Sequence, residues 1–430
     1  MKSKICLLIL TLLFLIGCGE KKSSGTGGDG GKEVELRVMW WGSDARHKAT
    51  LDAIKLFEEK NPGIKIKAEY SGYEGYLEKL STQMSGKTAP DVMQVDWNWL
   101  YIFSKNGDGF YNVKDLKDFD LSNYDEAILN HTVIKDKLNA VPVGLNGMGF
   151  YYNQSVFDKA GAKFPETADE LFAVNKMFKE KLGDDYYPLD VSDEKVNYYF
   201  INYYLLQKTG NNLINEENKI GITKEELADA LRFYKRMVDE KVTLSTKDRA
   251  GLGNVPGDQN PLWVDGHIGG TYEWSSRTGV FQDTLKEGQV ASGNYIKGLG
   301  DHNAAFIRLN MAFAVNKNTK HPEAAAKFLN FMLSDPEATK ILGMTRGIPS
   351  NKKALEVLEQ ENMITGISKE VLDKALAYQG KMISPYYEDE RLIKIFAGYV
   401  QKIDYGQIDI DKAAEGIIAD MEAALKNILR

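Results

Sequence analysis

The sequence predicts an α/β protein of two lobes, each built around a parallel-type sheet. One observation is its length, because 430 residues correspond to about two or three domains of ordinary size. The other is an alternation of strand and helix patterns that begins at Val34. Strands that alternate with helices form parallel sheets, since each helix carries the chain back to the start of the next strand.

The first strand and the first helix are predicted from a change of hydrophobic period. Residues 34–39 form a strand candidate. Ala49, Ala53 and Phe57 then recur at the spacing of one helix face. The Asn-Pro-Gly run at 61–63 is expected to end that helix.

A second helix and two more strands complete this unit. Residues 64–70 alternate as a strand, and Leu77, Leu80 and Met84 mark a helix. Residues 91–95 form the next apolar run. The order is βαβαβ, which predicts a parallel sheet.

The rest of the chain shows a second α/β unit and a helical end. The glycine-rich run at 141–153 is suited to a chain that crosses between lobes, and residues 266–276 form a short buried strand with a polar, aromatic loop. Residues 309–315 form another strand, and Pro322 begins a helix. Residues 369–430 are predicted to be helical.

The N-terminus carries a targeting signal. Two lysines within residues 1–4 precede an apolar run at 5–16, and Cys18 follows directly after a glycine. This pattern resembles a bacterial lipobox, which implies a lipoprotein signal peptide at 1–17 and a lipidated Cys18 that begins a flexible tether at 18–32. The alternative is an ordinary signal peptide with an incidental cysteine.

Charge and cysteine content exclude several classes of function. The formal net charge is −7, and no basic cluster suited to nucleic acid is present. Cys6 and Cys18 are the two cysteines, and both lie at the N-terminus. The folded body therefore has no disulfide and no thiolate metal site, and we expect no cofactor and no metal.

Tryptophans cluster where two strands of the predicted parallel sheet end. Trp40, Trp41, Asp44 and Arg46 follow the first strand. The residues that follow the third strand are Asp96, Trp97 and Trp99. Ligands of parallel sheets bind beyond the carboxyl ends of the strands, so we expect ligand contact in both loops. One of Trp40 and Trp41 should face the crevice, because strand neighbours point to opposite sides.

A matching set of polar and aromatic residues lies in the second half of the chain. Trp263 precedes the strand at 266–276, and Glu273 and Trp274 stand near its end. Tryptophan together with carboxylates and arginine is the mixture that a sugar requires, since its C–H faces stack on aromatic rings and its hydroxyls need donors and acceptors. Arginines are candidates for the carboxylate of a uronic acid: Arg46, Arg277, Arg308 and Arg346.

Each assignment has a simpler alternative. The tryptophans can be packing residues at the rim of the crevice. Asp44 and Asp96 can be helix N-caps, and the arginines can form exposed salt bridges.

The order of these segments resembles the family 1 extracellular solute-binding proteins of carbohydrate ABC importers, the group that contains maltodextrin-binding protein. The residues that carry the resemblance are the loop at 40–44, the run at 57–64, Ala89 to Val92, Phe150 to Gly161 with 165–167, and Ala314 to Ala325. The family implies two α/β lobes joined by a multi-strand hinge, the periplasmic-binding-protein-like fold. On this pattern lobe 1 comprises 33–145 and 301–345, and lobe 2 comprises 146–300 and 346–430.

The resemblance also implies roles for individual residues. The polar sugar contact of the family's first loop falls on Asp44, and the aspartate that ends the third strand falls on Asp96. Trp97 or Trp99 takes the place of the following aromatic stacker. The aromatic loop of the second lobe falls on residues 272–274, and a late stacker falls on Tyr386 or Tyr387. The surrounding residues depart from the maltodextrin pattern, so maltodextrin itself is not implied.

The predicted function is a lipid-anchored oligosaccharide receptor that closes around its ligand and delivers it to the permease of an ABC importer. The protein is expected to be a monomer and not to be an enzyme. Its expected location is the outer face of the bacterial membrane or the periplasm. One alternative is a secreted glycan hydrolase that uses Asp96 and Glu273 as acid and base. Another is a surface scaffold or adhesin without transport.

Overall fold

The computed structural model describes residues 33–364 and 366–429, so the predictions on the signal peptide, Cys18 and the tether lie outside it. The first three strands are β1 (Val34–Trp41), β2 (Ile64–Ser71) and β3 (Val92–Val95). They are followed by β4 (Val133–Ile134), β5 (Lys137–Leu138), β6 (Val141–Asn153), β7 (Gly270–Trp274), β8 (Val290–Ser292), β9 (Ile307–Val315) and β10 (Ile348–Pro349).

The helices before β9 are α1 (Asp44–Lys60), α2 (Tyr76–Ser85), α3 (Trp99–Phe103), α4 (Glu126–Leu129), α5 (Gln154–Ala160), α6 (Ala168–Lys181), α7 (Glu194–Thr209), α8 (Lys224–Asp239), α9 (Thr246–Gly251), α10 (Pro261–Val264) and α11 (Thr278–Thr284). Those after it are α12 (Pro322–Ser334), α13 (Pro336–Leu342), α14 (Lys352–Gln360), α15 (Ile367–Ala377), α16 (Glu390–Asp404) and α17 (Ile410–Ile428). The described helices include none that is long and apolar enough to cross a membrane.

The predicted βαβαβ unit is present at the start of lobe 1. β1 pairs in parallel with β2 on one side and with β3 on the other. The first strand runs two residues further than predicted and ends at Trp41. β9 then joins antiparallel to β3 and β6, so the sheet of lobe 1 is mixed.

β6 is one continuous strand that belongs to both lobes. Residues 141–147 pair with β9 in lobe 1, and residues 148–153 pair with β7 on one edge and β8 on the other in lobe 2. The pairings with β7 and β8 are antiparallel, whereas the segment at 187–190 bridges residues 268–271 in parallel, so the sheet of lobe 2 is mixed. The glycine-rich crossing predicted for β6 is therefore a strand of the hinge.

Lobe 2 has a core of stacked aromatic residues and helices. Tyr198, Tyr203, Tyr272 and Tyr387 are fully buried, and Phe150 of β6 packs among them. α15 packs on β6 and β8, and α16 and α17 pack on α7 and α8. The predicted helical end is confirmed over residues 367–428, with short connecting segments.

The chain returns to lobe 2 later than the sequence predicts. α14 packs on α12 and α13, and α13 packs on α1. The backbone N–H of Lys352 donates to the carbonyl of Asn123 at 2.8 Å. These contacts place the return after α14, not at residue 346.

Gly144 allows the hinge strands to approach closely. A Cβ atom at this position would lie 2.3 Å from the carbonyl oxygen of Arg346 and 2.7 Å from the Oδ1 atom of Asn310. The register of β6 against β9 also shifts here. No side chain fits at Gly144 unless the strands move apart.

We expect Gly144→Ala to lower the free energy of unfolding by about 1–3 kcal/mol, the usual cost of overpacking. Urea denaturation of the variant and the wild type measures it. Gly279→Ala is the control, because Gly279 lies in α11 and an added Cβ meets no atom within 4 Å. Equal stability of Gly144→Ala and wild type would mean that the hinge tolerates separation of these strands.

Candidate functional site

The carboxyl ends of β1, β2 and β3 form one edge of the lobe 1 sheet, because the three strands are parallel. Trp41 ends β1 directly beside Ser71, which ends β2. Tyr73 lies two residues beyond β2, and Asp96 follows β3. This edge is the place where α/β sheets bind ligands.

Three aromatic rings at this edge pack on one another. The ring centroid of Trp41 lies 5.7 Å from that of Tyr73 and 5.0 Å from that of Trp99. The rings of Tyr73 and Trp99 stack, with their centroids 5.8 Å apart. Trp41 is 6% exposed and Trp99 is 4% exposed, whereas Tyr73 is 55% exposed. The two tryptophans therefore support Tyr73, which presents the open ring.

Tyr73 is not among the residues that the sequence predicts for the site. The predicted contacts lie in the loops after the first and the third strand, whereas Tyr73 follows the second. The signal was present, because β2 is a parallel strand of the same sheet and its carboxyl end shares the same edge.

Three of the predicted tryptophans present no open face to the cleft, and Trp41 is the member of the Trp40–Trp41 pair at its edge, as expected for strand neighbours. Trp40 points to the opposite side of β1 from Trp41 and donates its indole N–H to Nδ1 of His47 at 3.1 Å. Trp97 donates to the carbonyl of His131 at 2.7 Å, and Trp263 donates to the carbonyl of Phe281 at 3.1 Å. All three are buried, and their polar groups already have protein partners.

Asp44 and Arg46 lie at the start of α1. Asp44 is exposed in the first turn, and the N-cap position belongs to Ser43, so Asp44 is not the cap. Arg46 is half-buried and donates to the carbonyls of Thr345 at 2.8 Å and Trp41 at 3.0 Å. Arg46 thus ties the end of β1 to the segment after α13, and its contact with ligand stays a prediction.

Asp96 carries a perturbed carboxyl group. Burial raises its pKa to about 6, and the negative charge of Glu388 adds to the effect. The positive charge of Arg308 and hydrogen bonds from the backbone N–H groups of Trp97 and Asn98 oppose the shift in this pKa. Arg308 and Glu388 therefore lie close enough to Asp96 to act on its charge.

A cavity of about 520 Å³ lies on the lobe 2 side of the cleft. The predicted residues Glu273, Trp274 and Arg308 all line it. Further lining comes from residues that the sequence did not single out for the site: Asp193, Glu194, Lys195, Val196, Tyr199, Asn254, Pro256, Gly257, Glu388, Glu390, Ile393 and Lys394. These side chains come from α7, α16 and loops far apart in the chain, which no local pattern connects.

Arg308 is the central cation of this cavity. It pairs with Glu388, which also accepts a hydrogen bond from the hydroxyl of Tyr199. Its guanidinium lies 4.6 Å from the ring centroid of Trp274. Burial lowers the pKa of Arg308, but Glu388 and Asp96 outweigh burial and raise this pKa above the usual value. Its buried Nε has no hydrogen-bond acceptor among the described residues.

Arg277 forms the second ion-pair group. Its Nε lies 3.1 Å from Oε2 of Glu273, and its terminal nitrogen pairs with Asp258. Burial raises the pKa of Glu273 to about 7, although the backbone N–H of Trp274, at 2.8 Å, and the charge of Arg277 oppose this shift.

Arg249 holds the rim of the cavity in place. It is 2% exposed and donates to Asp190 at 2.9 Å and to the carbonyl of Val255 at 2.7 Å. Its other contact is Asp193 at 3.4 Å. This buried arginine therefore fixes the loop that contains Asn254 and Pro256 against the strand-like segment at Asp190.

Tyr386 lies where the two lobes meet. It is half-buried, and its ring packs edge-on against Tyr101 of α3, with centroids 6.0 Å apart. Tyr387 is instead fully buried and stacks on Tyr198 at 4.2 Å. Of the two, Tyr386 alone faces lobe 1, and its contact with ligand stays a prediction. The described residues contain no group of three or more His, Cys, Asp or Glu side chains placed to hold a metal ion.

Comparison with known proteins identifies the family. Residues 52–365 match the family model described as bacterial extracellular solute-binding protein, which is well over half of the chain. This chain belongs to the bacterial extracellular solute-binding proteins. The expected family and the two-lobe α/β fold are thereby confirmed.

This solute-binding protein is similar in sequence to binding proteins of other bacteria. A putative binding protein of Brucella abortus is 29% identical over 196 residues, 44% of this chain, and the match spans just under half of the relative's length, 46%. A maltooligosaccharide ABC transporter solute-binding lipoprotein of Streptococcus pneumoniae is 24% identical over 370 residues, 84% of each chain.

A solved structure gives a closer match to this solute-binding protein. A periplasmic oligogalacturonide binding protein from Yersinia enterocolitica is 37% identical, with a TM-score of 0.86 over 92% of this chain and 100% of the other. The Yersinia protein in complex with saturated digalacturonic acid gives a TM-score of 0.75 over 93% of this chain and 100% of the other.

We expect Glu273 to make stability depend on pH. Its pKa of about 7 lies above the usual unfolded value of about 4.3, so its contribution is fully present below the unfolded pKa and is lost as the pH rises through 7. Between pH 5 and pH 8 the stability of Glu273→Gln should therefore rise relative to wild type by about 2–3 kcal/mol.

Urea denaturation at several pH values measures this difference. The control is Glu415→Gln, which neutralises an exposed carboxylate on α17. If the two variants differ from wild type by the same amount at every pH, burial does not raise the pKa of Glu273.

Proposed function

We propose that this protein is the carbohydrate receptor of an ABC importer and that it closes around an oligosaccharide held between its lobes. The observation that carries the proposal is the meeting of two unlike surfaces. Lobe 1 contributes the exposed ring of Tyr73 and the carboxyl group of Asp96, and lobe 2 contributes the cavity around Arg308, Trp274 and Glu388.

Electrostatic coupling supports the idea that one ligand touches both surfaces. Asp96 and Glu388 raise the pKa of Tyr73, after burial, and Arg308 lowers it. These groups therefore lie near one another across the cleft. A ligand that contacts both lobes when they are closed shifts the equilibrium by its differential affinity for the closed form.

The ligand that we propose is a short acidic oligosaccharide of the galacturonide type. Four cations line the cavity: Lys195, Arg277, Arg308 and Lys394. Burial raises the pKa of Glu273 to about 7, so this carboxyl is about half protonated at neutral pH and repels a uronate less than a fully ionised carboxylate does. The similarity to the oligogalacturonide binding protein of Yersinia supports the same ligand class.

A role in binding, not in hydrolysis, is part of this proposal. Oε1 of Glu273 accepts the backbone N–H of Trp274 and Oε2 faces Arg277. One oxygen of this carboxyl is held by a backbone hydrogen bond and the other lies beside a cation, which is the arrangement of a structural ion pair. The relatives are named as binding proteins.

The proposal includes attachment to the outer face of the membrane through Cys18 and delivery of the sugar, by a monomer, to a permease. The lipobox-like sequence before Cys18 supports the anchor, and the pneumococcal relative is named a lipoprotein of an ABC transporter.

Titration of the protein with di- and trigalacturonic acid, and with maltose and maltotriose, tests the ligand. Tryptophan fluorescence and calorimetry should show saturable binding of the galacturonides, and chromatography should recover them intact. Tyr73→Ala should weaken binding about ten- to a hundredfold, because burial of an aromatic face contributes about 1.5–3 kcal/mol.

Tyr70→Ala is the matched control. Tyr70 is 45% exposed, near the 55% of Tyr73, but it stacks on Trp40 on the other side of β1. If the protein prefers maltose and maltotriose, the proposed acidic ligand is wrong and the ligand is a neutral sugar. Cleavage of the sugar, or the absence of any binding, would contradict the proposed receptor function.

We also expect Cys18→Ser to release the protein from the membrane, because the sulfur that carries the acyl chain is gone. Fractionation of cells, with incorporation of labelled palmitate, measures the effect. Cys6→Ser is the control, since Cys6 lies within the predicted signal peptide. Retention of Cys18→Ser on the membrane would contradict the anchor.

A further inference from the structure

The four cations of the main cavity differ in whether the protein already neutralises them. Three form ion pairs with protein carboxylates: Lys195 with Glu390, Arg277 with Asp258 and Glu273, and Arg308 with Glu388. Lys394 of α16 is exposed and lines the same cavity, but it forms no ion pair with another of the described residues. Its positive charge is therefore the one that these carboxylates leave without a direct partner.

A ligand carboxylate meets these cations on unequal terms. Glu388 pairs with Arg308, and it also accepts a hydrogen bond from the hydroxyl of Tyr199. A uronate that took Arg308 from Glu388 would leave this partly buried carboxylate without its cation, and loss of one partner of such a pair is costly. At Lys394 no protein partner has to be displaced, so a new ion pair forms there without the loss of an old one.

One acid shares the cavity wall with Lys394. Glu194 lies in the first turn of α7 and lines the cavity, and it too forms no ion pair within the described part of the chain. The N-terminus of a helix stabilises a negative charge, so the carboxylate of Glu194 does not require Lys394 as its partner.

Asn254 faces the same cavity from a loop with an unusual backbone. Its φ is 52°, in the left-handed region, and Gly253 before it has a φ of 95°. Buried Arg249 holds this loop: its side chain donates to the carbonyl of Val255 at 2.7 Å, and its own carbonyl accepts the N–H of Asn254 at 3.2 Å. Glycine adopts such a backbone at lower cost. The side chain of Asn254 is exposed in the cavity wall and makes no hydrogen bond to another described residue.

We propose that Lys394 and Asn254 recognise the carboxylate of the galacturonide and thereby set the preference for an acidic sugar. The ammonium group of Lys394 supplies the positive charge, and Nδ2 of Asn254 donates a hydrogen bond. A hydrogen bond between charged groups is roughly twice as strong as a neutral one, so Lys394 supplies most of the discrimination. The inference rests on the proposed function and deepens it, because it names the residues that select the charge of the ligand.

The test is calorimetry on the full chain, purified in detergent, with digalacturonic acid and with its dimethyl ester, which keeps the sugar rings but carries no charge. Wild type should bind the acid more tightly than the ester. Lys394→Gln should weaken binding of the acid about tenfold, the usual effect of losing a hydrogen bond to a charged group, and leave binding of the ester unchanged. Lys394→Arg should restore most of the affinity for the acid.

Lys402→Gln is the matched control. Lys402 is also exposed on α16 but is not among the residues that line the cavity, so the variant loses the same charge without loss of the contact. Both affinities should stay at their wild-type values. Added salt should weaken binding of the acid less in Lys394→Gln than in wild type, because one fewer charge is screened. Thermal unfolding checks that each variant is folded.

Two variants of Asn254 separate its amide from its backbone. Asn254→Asp keeps the size of the side chain but replaces the donor with a carboxylate, so the acid should bind about tenfold more weakly or worse, and the ester should lose less. Asn254→Gly keeps the left-handed backbone and removes the amide, which should weaken binding of the acid about two- to tenfold. Wild-type affinity of Asn254→Asp for the acid would exclude Asn254 from the contact.

The outcomes separate this inference from the proposed function. If Lys394→Gln binds the acid as tightly as wild type, or if Lys402→Gln weakens it as much, Lys394 does not recognise the carboxylate and the receptor function stands. If wild type binds the acid and the ester equally well, the protein does not select charge, and the inference is wrong. If wild type binds neither, the acidic ligand is wrong and the inference falls with it.

Discussion

The pairing of β6 with β9 is the constraint on which the cleft depends. β6 is hydrogen-bonded to β9 over its first half and to β7 and β8 over its second half, so both lobes are built on one strand. Asn146, near the crossover, pairs with Arg308 of β9 and bonds through its side chain to Ser275 and Ser276. This single position therefore brings the central cation and the loop after β7 to the same side of the hinge.

Charges in the cleft are buried mainly as pairs, and a few polar atoms remain without partners. Arg308 pairs with Glu388, Arg277 with Glu273, and Arg249 with Asp190. Removing one member of such a pair is costly because it leaves a buried charge uncompensated. Among the described residues, Nε of Arg308 and Nε of Arg277 are buried without a hydrogen-bond acceptor.

The sequence patterns predicted the fold better than the site. Alternation of strand and helix over residues 34–95 depends on local backbone geometry and hydrophobic period, and the structure follows it closely. The antiparallel partners of β6 and the late return after α14 depend on contacts between distant segments, which no local pattern encodes. The positions of Trp40, Trp97 and Trp263 beside strand ends predict contact with the cleft, but an indole at such a position is equally suited to burial with a carbonyl or imidazole partner.

By itself, the sequence determined the α/β class, the parallel start of lobe 1, and the edge at which Trp41 and Asp96 lie, because hydrophobic period and strand direction are local properties. The family followed from the order of its segments. Only the tertiary structure decided that Tyr73 presents the open ring and that Glu388 meets Arg308. Exposure and pairing are set by residues from distant parts of the chain, which come together only when the lobes have folded around the hinge.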